Sequence, residues 1–226
     1  MVVLALNTSG RRGSAALCRG DAARLEVLGL SSLEGGTYSA RLIPAIGDLL
    51  DRAGLTKSQI DGLVVVDGPG SFTGLRVGLS TVKALCEILQ KPLATVSMLE
   101  ALAITCGHEG ETVTAVLDAG RGEVYVGEYR LGSECASRVE QSIEKLDAFV
   151  KRTPSIESRI VTTFPKLAGA GAASSAAATV IDALPADAIA KIGLRKLLAG
   201  ETADPITLDA NYIRRSDAEL FSLPKH

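Results

Sequence analysis

The chain has no tryptophan and few aromatic residues of any kind, four Phe and four Tyr in 226 positions. Single-stranded nucleic acid is commonly held by stacking on exposed rings, so this shortage argues against such a platform. A basic excess is also missing: Lys and Arg number 24 against 26 Asp and Glu, for a net charge of −2. A protein that grips RNA alone shows the opposite balance. Histidine occurs only at His108 and His226. Neither has a spacing that suits zinc or iron, and neither completes a Ser-His-Asp arrangement. The four cysteines, Cys18, Cys86, Cys106 and Cys135, form no CxxC pair. They read as small reduced core residues of a cytoplasmic protein rather than a disulfide framework. No apolar run approaches the roughly 20 residues of a membrane helix. The N-terminal MVVLALNTSG lacks the basic start and long apolar run of a signal peptide.

What is present is a globular composition, 46% hydrophobic and 22% charged. The length allows one or two domains with a sizeable core. The organising stretch is LVVVDGPGSFTGLRVGLSTVKALCEILQ, residues 63–90. Leu63 to Val66 read as a strand buried on both faces. Asp67-Gly68-Pro69-Gly70 is a dense turn signal. Ser71 and Thr73 offer N-cap hydroxyls, and an apolar helix follows to Gln90. In an open α/β sheet such a loop lies at the carboxyl end of its strand, where ligands bind. Its amides and the helix N-terminus suit an anion. The alternative is a tight turn joining two core elements. No Gly-Lys-Ser/Thr follows, so the loop is not a P-loop.

Before this stretch, Val2 to Leu6, Ser14 to Cys18 and Leu25 to Leu30 read as strands, with a turn at NTSGRRG and a polar loop from Ser31 to Thr37. Ser39 to Ala53 reads as a helix with Leu42, Ile43, Ile46, Leu49 and Leu50 on one face and Gly54 as its stop. Pro44 falls near its first turn or kinks it. Thr56 and Gln59 have capping-box spacing. After it, Pro92 to Val96 is a strand, and Ser97 with Glu100 repeats the capping-box spacing ahead of a helix to Cys106. Thr112 to Leu117 and Glu123 to Tyr129 read as strands about a turn. Gln141 to Lys151 reads as a helix, and Arg159 to Thr163 and Val180 to Leu184 as strands. Leu167 to Thr179 reads as a small-residue connection. Ala186 to Ala199 is a helix stopped by Gly200, and Pro205 onwards reads as extended. The order restarts after three strands, helix, strand, helix, strand and helix. ALNTSGR (5–11) matches VLDAGR (116–121), each leading into another strand, which signals two similar halves.

GPGSFTGLRVGLS closely resembles the signature of the TsaB family and of its paralogue TsaD. DAGRGEVY, PADAIAKIGLRKLLAGE and NYIRR are similar to TsaB chains as well. The resemblance is strongest over 61–100 and thinnest between about 130 and 184. It implies an α/β fold of the actin-like, sugar-kinase and Hsp70-like ATPase superfamily. That fold is a duplicated RNase-H-like unit with two βββαβα-type halves, here 1–100 and a reduced 101–226. It also implies a non-catalytic scaffold: a heterodimer with a TsaD-like catalytic subunit, supported by a TsaE-like ATPase. The complex places threonylcarbamoyl on a tRNA adenosine, and the chain meets tRNA only within it. Isolated, the chain is expected to form a homodimer. The competing class is an independent ATP-dependent phosphotransferase or M22-like peptidase.

The candidate phosphate site comprises Asn7, Thr8, Ser9, Gly68, Gly70, Ser71, Thr73, Gly74, Asp118 and Arg121. No cofactor is required, and ATP or ADP is a candidate at the glycine loop or at a subunit junction. Phosphoryl-transferring relatives carry an acid where this chain has Asn7, and an amide neither acts as a base nor binds magnesium strongly. Asn7, Thr8 and Ser9 could equally just close a turn, and Asp118 and Arg121 could brace their own hairpin. TsaD holds its metal through a histidine pair that this chain lacks, so no metal or catalytic residue is assigned. Tyr38-Ser39 stands where TsaB chains often show His-Ser.

The candidate partner interface is Leu42, Ile46, Leu49, Leu75, Val77, Gly78, Leu79, Val82 and Ile88. On a wheel of 74–90 the polar residues Arg76, Ser80, Lys83, Glu87 and Gln90 form one narrow stripe. The apolar remainder has two flanks, Leu75, Leu79, Val82 and Cys86 on one side and Val77, Ala84 and Ile88 on the other. A helix lying on one sheet needs only one of them, which predicts that the second meets another surface.

Overall fold

The computed structural model describes residues 1–133, 135–168 and 178–211. The first half is built from β1 (Val2–Asn7), β2 (Arg12–Gly20), β3 (Leu25–Glu34), α1 (Tyr38–Ala53), β4 (Gly62–Gly68), α2 (Phe72–Leu89), β5 (Leu93–Ser97) and α3 (Met98–Cys106). Its sheet has the order β3-β2-β1-β4-β5. β1 pairs antiparallel with β2 and parallel with β4. A central strand between two neighbours needs apolar residues on both faces, and every residue of VVLALN is buried.

The second half repeats the plan with β6 (Thr112–Gly120), β7 (Glu123–Leu131), β8 (Ala136–Lys145), α4 (Leu146–Arg152), β9 (Arg159–Thr162), β10 (Thr179–Val180) and α5 (Ala186–Leu198). Its sheet order is β10-β9-β6-β7-β8. β6 stands in the place of β1, antiparallel to β7 and parallel to β9. α1 packs on β3 and β2, and α2 on β4. α5 returns to the first sheet and covers β1, β2, β4 and β5, while α3 touches both sheets.

Several expectations need correction. Gln141 to Lys151 is not one helix. Gln141 to Lys145 belong to β8, paired along β7 with Tyr125 opposite Ile143, and only Leu146–Arg152 is helical. The edge pairing gives these residues backbone partners that their helix-forming side chains do not outweigh. β3 runs on to Glu34, because Leu33 pairs with Gly13 and is buried. Residues 205–207 turn rather than extend, held by the Asp204 carboxylate, which accepts from the Ile206 amide at 2.9 Å. Ser97 supplies no capping hydrogen bond to α3, and Glu100 is engaged by Lys196 instead. Pro44 lies inside α1, beyond its first turn. Cys18 and Cys86 are buried as expected, but Cys106 is half-buried and Cys135 exposed. Most of the small-residue connection and nearly all of NYIRR lie outside the described residues.

Candidate functional site

β1 delivers Asn7, Thr8 and Ser9 to the carboxyl edge of the first sheet, and all three are buried. Asn7 Oδ1 accepts from the Ser9 amide at 3.1 Å and from the Ser9 hydroxyl at 2.7 Å. Asn7 Nδ2 donates to the Leu184 carbonyl at 2.7 Å, at the entry to α5. An ionised aspartate could not make that last bond, since it has no proton to give. The amide at this position is therefore matched to its surroundings and ties α5 to β1. A second tie lies alongside: the Ala186 amide donates to the buried Ser14 hydroxyl at 2.8 Å. Pro185, at the N-cap position, makes no side-chain cap of its own. A residue of β2 caps α5 across the fold.

The glycine loop sits directly on this turn. Ser71 is the N-cap of α2, and its hydroxyl accepts from the Gly74 amide at 3.3 Å. The Ser71 amide donates to the Ser9 carbonyl at 2.6 Å. A Cβ at Gly70 would collide with the Ser9 carbonyl, and one at Gly74 with the Thr8 carbonyl. Thr8 also crowds Gly78, one turn further along. These glycines admit the β1–β2 turn against α2. Thr73 is exposed in the first helical turn. The far side of the loop is covered too. The Asn211 amide donates to the Asp67 carbonyl at 2.8 Å. A Cβ at Gly68, where φ is 137°, would stand 2.8 Å from the Asn211 carbonyl oxygen. The loop is thus packed against the β1–β2 turn on one side and against Asn211 on the other.

Four residues that the sequence did not single out for chemistry complete the neighbourhood. Tyr38 braces the turn: its hydroxyl donates to the Gly10 carbonyl at 2.7 Å, and its ring lies against Gly13 and Gly74. Burial pushes that hydroxyl up to about 12. Behind the loop, burial raises the Asp67 carboxyl, against the lowering effects of the Thr95 hydroxyl and the Lys196 ammonium. Lys196 of α5 donates to Glu100 of α3 at 2.9 Å. The one available signal was a charged residue, Asp67, at the end of an otherwise apolar strand. Glu100 and Lys196 are too far apart in sequence to pair by inspection.

Asp118 and Arg121 are exposed at the tip of the β6–β7 hairpin. Asp118 Oδ1 accepts from the Gly120 amide at 2.8 Å, closing its own turn. Among the described residues no cluster of His, Cys, Asp or Glu could hold a metal ion.

Most of the interface candidates lie inside the chain. Leu42, Ile46 and Leu49 of α1 are buried, as are Leu75, Gly78, Leu79 and Val82 of α2. The other flank of α2 is open: Val77 is half-buried, Ala84 is exposed and Ile88 is 66% exposed. Ile43 on α1 and Phe72 at the start of α2 are also exposed.

The duplicated β-sheet plan, with the glycine loop after the fourth strand, places the chain in the actin-like ATPase fold class. The activator of 2-hydroxyisocaproyl-CoA dehydratase from Clostridium difficile shares that fold with a TM-score of 0.50 and 10% identity. Residues 33–195 match the family described as TsaD, tRNA N6-adenosine threonylcarbamoyltransferase. A protein described as the tRNA threonylcarbamoyladenosine biosynthesis protein TsaB of Bacillus subtilis is 35% identical over 130 residues, 58% of this chain and 56% of that protein. An uncharacterised protein of Mycobacterium tuberculosis is 31% identical over 222 residues, covering 96% of this chain and 93% of its own. YeaZ from Pseudomonas aeruginosa superposes with a TM-score of 0.74 at 26% identity, covering 93% of this chain and 99% of that one. The chain belongs to the TsaB (YeaZ-like) family. It spans about half the length of the curated TsaB relatives it matches.

No helix among the described residues is long and apolar enough to cross a membrane.

Proposed function

We propose that this chain is a non-catalytic subunit in the synthesis of threonylcarbamoyladenosine on tRNA, one that binds and supports a TsaD-like catalytic subunit in the cytoplasm. The observation that carries the non-catalytic reading is the packing of the glycine loop. A Cβ at Gly68, Gly70 or Gly74 would meet Asn211, Ser9 or Thr8, so those sides of the loop are packed against the chain itself. Asn7 is committed on both its oxygen and its nitrogen. A bound ATP or ADP would on this reading be held at a junction with a partner and not in this loop. The partner-binding reading is supported by the open flank of α2, where Ala84 and Ile88 are exposed and Val77 is half-buried. Apolar side chains grouped in this way mark contact surfaces. With no partner present, the same flank serves a second copy of the chain. A TsaE-like ATPase completes the working assembly, and tRNA is reached through the catalytic subunit.

The test is co-expression of the tagged chain with the TsaD-like protein of the same cell. Stable co-purification, with modified adenosine formed only when both are present, is the expected result. ATP turnover by the isolated chain that survives purification and disappears on Asn7→Ala would overturn the reading.

A further inference from the structure

Lys196 of α5 stands between two acids that come from different elements. Its ammonium donates to Glu100 Oε2 on α3 at 2.9 Å, and the two side chains are 24% and 17% exposed. The same ammonium reaches the Thr95 carbonyl on β5 at 3.4 Å. The Thr95 hydroxyl bonds the carboxyl of Asp67. Thr95 therefore brings the lysine and Asp67 to one residue, with one polar group toward each.

Asp67 comes to this place through a break in the ladder. β4 and β5 pair Val66 with Val96 and Gly68 with Ser97, which leaves Asp67 between them as a bulge. Bulges re-aim a side chain out of its regular direction. Asp67 Oδ1 is buried and has no hydrogen-bond partner among the described residues. A carboxyl group in that state stays neutral unless a cation is supplied. The charges that act on it are Lys196 from α5, which favours ionisation, and Glu100 from α3, which opposes it. Tyr129 of β7, itself buried, also feels the Asp67 charge.

We propose that Asp67 and Glu100 compete for Lys196, and that the proton on Asp67 decides which of them holds it. While Asp67 is neutral, the ammonium stays on Glu100 and clasps α5 to α3. When Asp67 ionises, its unpartnered Oδ1 becomes a charged acceptor and draws the ammonium away from Glu100. Burial raises the Asp67 carboxyl, so the neutral form persists above the ordinary aspartate range. The clasp is tight on the acid side and slackens as pH rises through the raised value. The two bridging helices thus carry a proton-operated latch behind the glycine loop, where the Asp67 carbonyl also holds the Asn211 amide at 2.8 Å. The latch belongs to the fold alone and stands without any partner.

Urea unfolding of the parent and Glu100→Gln, at about pH 5.5 and about pH 8.5, brackets the span in which a raised aspartate titrates. Glutamine keeps an acceptor for Lys196 but removes the charge. The substitution is expected to lower the folding constant about tenfold at the lower pH and about threefold at the higher, within the range of charge-assisted bonds. In the Asp67→Asn background, where nothing competes for Lys196, the drop should be about tenfold at both. Equal drops at the two pH values in the parent background would overturn the proposal. So would a pH-dependent drop that persists in Asp67→Asn. Reciprocity supplies a second measurement. A carbon NMR titration of the Asp67 carboxyl should find its midpoint about one pH unit lower in Glu100→Gln than in the parent, because Lys196 is then free for it. That readout needs only the single variant, so it decides the matter even if the double variant does not fold. A midpoint that stays in place would overturn the proposal.

Discussion

A carboxyl group kept from water holds its proton longer, and Asp67 is kept in that way behind the glycine loop. Its folded pKa is raised, so the fold binds a proton that the unfolded chain releases. Any stability it adds is present below the ordinary aspartate range and is lost as pH rises through the raised value. Asp67→Asn should therefore stabilise the protein by about 1 kcal/mol at pH 8, the scale of a buried polar penalty relieved. The gain should shrink as pH falls toward the ordinary aspartate value. Urea midpoints across that range check it, and a variant less stable than the parent at pH 8 would refute it. Gly74 tests the same site by steric means. Gly74→Ala drives a methyl into the Thr8 carbonyl, which is backbone and cannot swing aside. A loss of about 2–3 kcal/mol is expected, at the upper end of overpacking costs, and a neutral result would show that the start of α2 does not rest on the β1–β2 turn. The loop itself was legible in the sequence, because glycine clusters after an apolar run have a local cause. What fills it was not. Thr8, Ser9 and Asn211 come from 61 to 143 residues away, and an anion cradle and a close-packed turn require the same glycines.

Helices were read well where one periodic face met one sheet. α1, α2 and α5 fall within two residues of their expected ends, since apolar spacing and capping residues act over a few positions. β8 was misread because Ile143, Leu146 and Phe149 also recur at helical spacing, and only the pairing with β7 decides between the two. The wheel of α2 resolved two apolar flanks, and the fold assigns them: Leu79 faces the core and Ile88 faces water. Leu79→Asp should unfold the protein, as an unpaired buried charge does. Ile88→Asp should melt within a degree or two of the parent while losing association in size-exclusion chromatography. If Ile88→Asp stays folded and associated, contact lies elsewhere. α1 offers a contrasting site at Gly47, where an added methyl group meets nothing within 4 Å. Gly47→Ala should add about 0.5–1 kcal/mol by lowering the entropy of the unfolded chain.

At the scale of the whole molecule, the two similar halves invite the expectation that they unfold separately, and the core argues otherwise. The larger apolar cluster takes in β1, β4 and β5 together with Val113, Ala115, Leu117, Tyr125 and Tyr129 of the second sheet. α3 and α5 lie between, and the Glu100–Lys196 pair joins them at 2.9 Å. A smaller cluster of Val116, Val124, Val126, Phe149, Ile160 and Leu167 belongs to the second sheet alone. Phe149 is its fully buried aromatic centre. Phe149→Ala should cost about 3–5 kcal/mol, as large-to-small changes of this kind do. The way that loss is distributed decides the question. If the shared cluster couples the sheets, the entire urea transition moves to lower concentration and stays single. Tyrosine fluorescence and far-UV circular dichroism should then coincide, with Tyr38 reporting from the first half and Tyr125 and Tyr129 from the second. If the halves are independent, the variant gives two steps and only the signal from Tyr125 and Tyr129 shifts. The continuous cluster predicts the single step. A biphasic curve would mean that α3 and α5 bridge the sheets without binding them into one cooperative unit.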